Sequence, residues 1–149
     1  MLRFPPPIWT MIFLAVTAGV SWALGWPPIP GAPDHEAVGI AIFFGGWILP
    51  VWAFRQFRLA GTELDPTSET NSALVTSGPF SLTRNPMYLG LIIAALGMAI
   101  WVGAWPMLAA PVAVFATANW AHIPFEEAKM RRQFNGDYDA YVRRVRRWL

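Results

Sequence analysis

Charge is confined to a few short blocks of this chain, and long uncharged runs fill the space between them. From Ile8 to Trp26, 19 residues carry no charge. As a helix this run spans about 28 Å, close to the hydrocarbon thickness of a bilayer. Pro5, Pro6 and Pro7 set its start near Pro7, because proline is tolerated only in a first helical turn. A second uncharged run covers 18 residues, Ala37 to Phe54, and includes Gly45, Gly46 and Pro50. Membrane helices accept such residues when neighbours re-satisfy the freed backbone groups. A third run, Met87 to Ala121, has 35 uncharged residues. That is too long for one span and suits two short ones, with Gly103 and Pro106 marking a turn around Trp101–Trp105. The pattern predicts four transmembrane helices over 8–26, 37–54, 87–101 and 105–121.

The polar blocks differ from one another. Pro27 to Glu36, PPIPGAPDHE, reads as a loop in which His35 is exposed. Arg55 to Ser77 closes the second span with Arg55 and Arg58. It then becomes irregular, with Gly61, Pro66 and a Ser/Thr/Asn/Asp cluster. Phe125 to Leu149 is rich in charge. Its apolar positions (Phe125, Met130, Phe134, Tyr138, Tyr141, Val142, Val145 and Trp148) recur at steps of three and four. That spacing predicts an amphipathic helix, broken at Asn135–Gly136 and resting on anionic lipid. The fold class expected is all-α: an integral membrane protein of about four spans with a C-terminal amphipathic cytoplasmic helix, in one domain over 1–149.

Composition supports this class. Apolar residues make up 55% of the chain and charged residues 13%, against about 25% charged in soluble domains. The nine Trp suit membrane–water interfaces. Trp22 and Trp26 read as interface anchors, and no small-x-small site precedes the Pro-rich stretch, so the first span is expected to be retained rather than cleaved. The absence of Cys excludes disulfides, thiolate nucleophiles and Cys-based metal sites. His35 and His122 are far apart and form no metal-binding pair. Nothing in the pattern points to nucleic acid.

Charge also predicts topology. Arg3, then Arg55, Arg58 and Arg84, then seven Lys and Arg after the last span together account for all 11 basic residues. In a four-span chain they fall on one side. By the positive-inside rule that side is cytoplasmic and holds both termini. It also gathers the Ser72–Gly90 stretch, His122–Glu127 and the terminal helix. Gly45–Gly46 offers a face for close helix packing or for a second copy of the chain, a homodimer.

Chemistry concentrates in Thr76–Gly90, TSGPFSLTRNPMYLG. Pro86 sits where a helix should start, and helix N-termini present unpaired N–H groups to a carboxylate or phosphate. Arg84, Asn85 and Tyr88 surround that start. Gly78–Pro79 permits close backbone approach to a ligand. Glu126 and Glu127 follow Pro124 at a second predicted helix start, where carboxylates also serve as ordinary caps. One of them could accept a ribose diol or pair with a cationic cofactor.

The ordered set RNPMYLG, then HIPFEE, then FNGDYDAYVRRVRRWL resembles the isoprenylcysteine carboxyl methyltransferase and phospholipid methyltransferase superfamily of integral membrane enzymes. The likeness covers residues 72–149. The superfamily's Arg-His/Asn-Pro-x-Tyr-x-Gly motif falls on Arg84, Asn85, Pro86, Tyr88 and Gly90. Its paired Glu falls on Glu126–Glu127, and its FG-x-x-Y-x-x-Y element lies close to Phe134, Gly136, Tyr138 and Tyr141. The resemblance implies S-adenosyl-L-methionine as cofactor, in a region formed by 72–90 and 122–149. It implies cofactor contacts at Ser72, Ala73, Leu74, Val75, Phe80, Arg84, Asn85, Pro86, Met87, Tyr88 and Glu126. His122 stands near the position of a substrate-contacting Arg in the prenylcysteine enzymes, which carry that Arg four residues earlier. The expected activity is methyl transfer to a small or lipophilic carboxylate, amine or thiol at the cytoplasmic membrane face. His122 and Glu127 are the candidates for taking a proton from an amine or thiol. Two alternatives remain open: an NADPH-dependent membrane reductase of the sterol-reductase type, and a non-catalytic membrane adaptor.

Overall fold

The computed structural model describes residues 5–31, 35–62 and 72–149. Arg3, Pro66 and the polar cluster around Pro66 lie outside the described residues. The described chain is helical throughout its regular parts. The elements are α1 (Pro6–Ala23), α2 (His35–Gly46), α3 (Ile48–Ala60), a 3₁₀ turn at Gly78–Ser81, α4 (Pro86–Val102), a second 3₁₀ turn at Trp105–Leu108, α5 (Ala109–Thr117), a π-turn at Ala118–His122 and α6 (Ile123–Arg144). Three helical stretches are long and apolar enough to cross a membrane: Pro6–Ala23, the joined pair His35–Ala60, and Trp105–Arg144. Pro86–Val102 is a shorter apolar helix. The protein is thus a multi-span membrane protein, and large apolar side chains such as Met11, Val16, Val112 and Trp120 are exposed.

Local sequence explains the helix ends. Pro6 and Pro86 occupy the first turns of α1 and α4, where their missing N–H is not needed. Within α1, Thr17 and Ser21 return their hydroxyls to backbone carbonyls one turn earlier, which hides polar groups from lipid. α3 runs past the predicted end at Phe54 to Ala60 and is closed by Gly61 in a left-handed conformation. The extension has a packing reason: Phe57 meets Phe80 edge-on with centroids 5.1 Å apart. On the opposite side of the molecule, Ile29 donates to the Gly103 carbonyl at 2.8 Å and Trp105 to the Pro27 carbonyl at 3.1 Å. These bonds pin the α1–α2 loop to the α4–α5 turn. His35 is half-buried against Gly103 and opens α2, rather than standing exposed in a loop.

The α2–α4 pair is joined along a seam of small residues. Gly39 and Gly46 on α2 are seven apart, as are Gly90 and Gly97 on α4, so each pair recurs on one face every two turns. Gly39 abuts the Trp101 backbone, Gly97 the Phe43 backbone, and Gly46 the backbone of Gly90 and Ala94. The pairing runs antiparallel. Of the Gly45–Gly46 pair, Gly46 therefore packs inside the chain, while a Cβ at Gly45 would meet nothing within 4 Å.

α5, the π-turn and α6 form one continuous helical path. Glu126 and Glu127 consequently lie within a helix, not at the separate start predicted after Pro124. A proline inside an α-helix collides with the carbonyl four residues earlier, here that of Trp120. The π-turn over Ala118–His122 widens the helix at that place. Further on, Asn135 departs from helical geometry at φ 45° and ψ −122°, the break expected at Asn135–Gly136.

Candidate functional site

A cavity of about 430 Å³ opens where α1, α3, α4 and α6 come together with the loop before α4. Sites for small ligands span roughly 300–1,000 Å³. Pro6 and Pro7 of α1, and Trp47, Pro50, Val51 and Phe54 around α3, form its apolar side. The loop contributes Ala73, Leu74, Val75 and Phe80. Arg84, Asn85, Pro86, Met87 and Tyr88 lead into α4 along its edge, and Glu126 faces them from α6. Ten of the cofactor contacts implied by resemblance therefore line one cavity. Ser72 is exposed beside the loop and does not line it.

The cavity wall is built from tertiary contacts as well as sequence neighbours. The kink at Asn135 precedes two tyrosines, Tyr138 and Tyr141, that are both buried and both line the cavity. The Tyr141 hydroxyl donates to the Phe80 carbonyl at 2.7 Å, which ties α6 to the loop. Two carboxylates from adjacent positions have different partners. The Tyr88 hydroxyl donates to Glu126 Oε1 at 2.6 Å. Burial pushes the Glu126 carboxyl up from its ordinary range, opposed by the Tyr88 bond and the nearby Lys129 ammonium. For Glu127, burial also pushes upward, but hydrogen bonds from Arg147 and Arg84 outweigh it and hold the carboxyl below its ordinary range.

The turn Thr83–Arg84–Asn85 is held by the end of the chain. The Arg84 backbone N–H donates to the Arg146 carbonyl at 2.9 Å. The Arg147 carbonyl accepts from the Thr83 hydroxyl at 3.0 Å and from Asn85 Nδ2 at 2.9 Å. The Arg84 guanidinium reaches the Val145 carbonyl at 2.7 Å and Glu127 Oε1 at 2.8 Å. Arg147 Nη2 lies 2.7 Å from Glu127 Oε2. Trp148 donates to Asn119 Oδ1 at 3.1 Å and packs on Phe115. Residues 145–149 thus form a strap across the site.

The cofactor region implied by the resemblance, 122–149, includes this strap, but the sequence does not say which of its residues hold the site. RVRRWL reads as one more basic stretch of a lipid-facing helix, and Arg143, Arg144 and Arg146 are indeed exposed. Arg147 is not; it is half-buried on Glu127. Asn85 lines the cavity, and its amide also holds the strap, making no cap bond at the start of α4. Lys129, one of the seven basic residues after the last predicted span, is 7% exposed and lines the cavity rather than facing lipid. Its spacing of three from Glu126 was the available signal.

The structure separates the two expected proton acceptors. His122 does not line the large cavity. It sits behind Tyr88, with ring centroids 6.0 Å apart, beside a small void shared with Trp9 and Phe13. Glu127 lines the cavity but is clasped by two guanidiniums. Among the described residues, no group of three or more His, Cys, Asp or Glu could hold a metal ion.

The arrangement fits a ligand with both apolar and charged parts. Its walls are largely aliphatic and aromatic, a buried carboxylate stands at one side, and Arg84 Nε is buried without a partner among the described residues. Comparison with known families gives a match to the phospholipid methyltransferase model over residues 35–137. No curated protein matches the chain significantly.

Proposed function

The chain belongs to the phospholipid methyltransferase family, and from that premise we propose that it transfers a methyl group from S-adenosyl-L-methionine to a lipophilic acceptor at the membrane surface. The observation that carries this reading is the single cavity joining Ala73–Val75, Phe80, Arg84–Tyr88 and Glu126. The family points to the headgroup of a phospholipid as acceptor. The one-sided distribution of Lys and Arg supports a cytoplasmic face.

The cofactor, when bound, supplies an activated sulfonium methyl, so the protein's task is chiefly to position two partners. Glu126 is placed to accept hydrogen bonds from a ribose diol, and Tyr88 fixes its carboxylate at 2.6 Å. Phe80, Tyr138 and the Ala73–Val75 loop provide an apolar slot that excludes water. Trp47, Val51 and Phe54 offer a separate apolar side for acyl chains. Glu127 is a structural anion in this scheme: a carboxylate held ionised by Arg84 and Arg147 is a poor proton acceptor. An amine acceptor therefore gives up its proton to a group other than Glu127.

Calorimetry on the protein in detergent tests the reading. Saturable binding of S-adenosylmethionine, lost in Glu126→Ala, is expected. Binding of NADPH in its place would turn the assignment to a reductase. Binding of neither by folded protein would favour an adaptor.

A further inference from the structure

We propose that Arg147, in the C-terminal strap Val145–Leu149, is a positioning residue of the cofactor site, setting the Thr83–Asn85 turn and the Glu127 carboxylate. The inference rests on the reading of the cavity as an S-adenosylmethionine site. It gives a role to a residue that does not itself line that cavity.

Arg147 has two separate handles on the site. Its carbonyl fixes the Thr83 hydroxyl and the Asn85 amide, and its guanidinium grips Glu127 through Nη2 and Nε, at 2.7 and 3.2 Å. The Arg146 carbonyl takes the Arg84 N–H between them. The turn before α4 contains no regular structure of its own, and Asn85 makes no side-chain cap bond. The strap supplies the bonds that the turn lacks. Asn85 and Glu127 both line the cavity, so any displacement of Arg147 is transmitted to two points of its wall. Trp148 completes the strap by docking on Asn119 and Phe115, beside the π-turn. Coupling between two sites is reciprocal. If the strap shapes the cofactor site, occupation of that site must hold the strap down.

The reciprocity supplies the test. Wild-type protein in detergent is treated briefly with trypsin, with and without saturating S-adenosylhomocysteine, and cleavage after Arg147 is followed by mass spectrometry. Cleavage after exposed Arg143 serves as the internal reference. Ligand is expected to slow cleavage after Arg147 several-fold more than cleavage after Arg143. In parallel, Arg147→Gln is expected to weaken S-adenosylmethionine binding by about ten-fold, the scale of one charge-assisted hydrogen bond. Arg147→Lys should recover part of the loss. The KM of the acceptor should change less than that of the cofactor. Equal cleavage with and without ligand, in protein shown by calorimetry to bind it, overturns the proposal. So does wild-type affinity in folded Arg147→Gln. Failure of wild-type protein to bind either ligand would instead overturn the underlying assignment of the cavity.

Discussion

Arg147 and Arg84 both grasp Glu127: Arg147 reaches Oε2 through Nη2 at 2.7 Å and Oε1 through Nε at 3.2 Å, and Arg84 Nη2 lies 2.8 Å from Oε1. One carboxylate therefore joins three segments that are distant in sequence: the turn before α4, the middle of α6 and the strap. The Arg84–Glu127 pair is largely shielded, with side chains 10% and 7% exposed. Removing Arg84 leaves Glu127 held by Arg147 alone, so the cost is that of a lost charge-assisted hydrogen bond, about 1.5–3 kcal/mol. Arg84→Met is expected to lower the unfolding free energy in detergent by an amount of that order, seen as a lower midpoint. A midpoint equal to wild type would show that the pair does not support the fold.

The same carboxylate predicts an acid limit. Its folded-state value is held below the unfolded one by the two guanidiniums, so the ionised form stabilises the fold above the unfolded value near 4.5. That contribution disappears as pH falls through the depressed folded-state value. Stability measured downward from pH 6 should therefore decline below the ordinary carboxylate range. Glu127→Gln should be less stable at neutral pH and show a flatter decline in acid. A Glu127→Gln profile parallel to wild type would rule out this group as the origin.

Tyr88→Phe isolates the bond to Glu126. The ring remains and only the hydroxyl, 2.6 Å from Oε1, is lost. A hydrogen bond to a charged group contributes about 1.5–3 kcal/mol. S-adenosylmethionine affinity should fall about ten-fold or more, and the thermal midpoint should fall as well, because the shielded carboxylate loses its partner. Unchanged affinity would mean that Glu126 is oriented by something else.

The glycine seam predicts a contrast between neighbours. A methyl group at Gly97 would overlap the Phe43 backbone, and one at Gly46 the backbone of Gly90 and Ala94. Backbone cannot move aside as a flexible side chain can, so Gly97→Ala and Gly46→Ala should each cost about 1–3 kcal/mol through overpacking. Gly45→Ala meets open space and should be neutral or slightly stabilising, since alanine is the better helix former. Unfolding of the three variants in detergent checks the order, and equal effects at 45 and 46 would contradict it.

Much of the architecture was legible because the signals are local. Uncharged runs of 18 and 19 residues announce helices by length alone, and Pro86 and Gly103 mark the ends of α4. Asn135–Gly136 announced the kink. What was not legible depends on partners far away in sequence. Arg147 and Arg146 look alike in a basic run, and only the folded path of the strap distinguishes the half-buried one. Lys129 likewise reads as surface charge until α6 is rotated into place. The misplaced helix start before Glu126 has a different origin: Pro124 normally signals a beginning, and the widened turn that absorbs it carries no sequence mark of its own. His122 lies outside the large cavity for the same reason. Counting along a regular helix would not reveal that it turns behind Tyr88.

That widened turn at Ala118–His122 acts as a phase adjuster. A π-turn accommodates one residue more than a regular helix over the same length, and one residue corresponds to about 100° of rotation. The membrane-embedded part of this helix and its charged part can thus keep independent orientations, one toward α1 and α4, the other toward Tyr88 and Arg84. Deleting a single residue between 118 and 122 would leave both parts helical and apolar faces intact, yet turn the paired glutamates away from both partners.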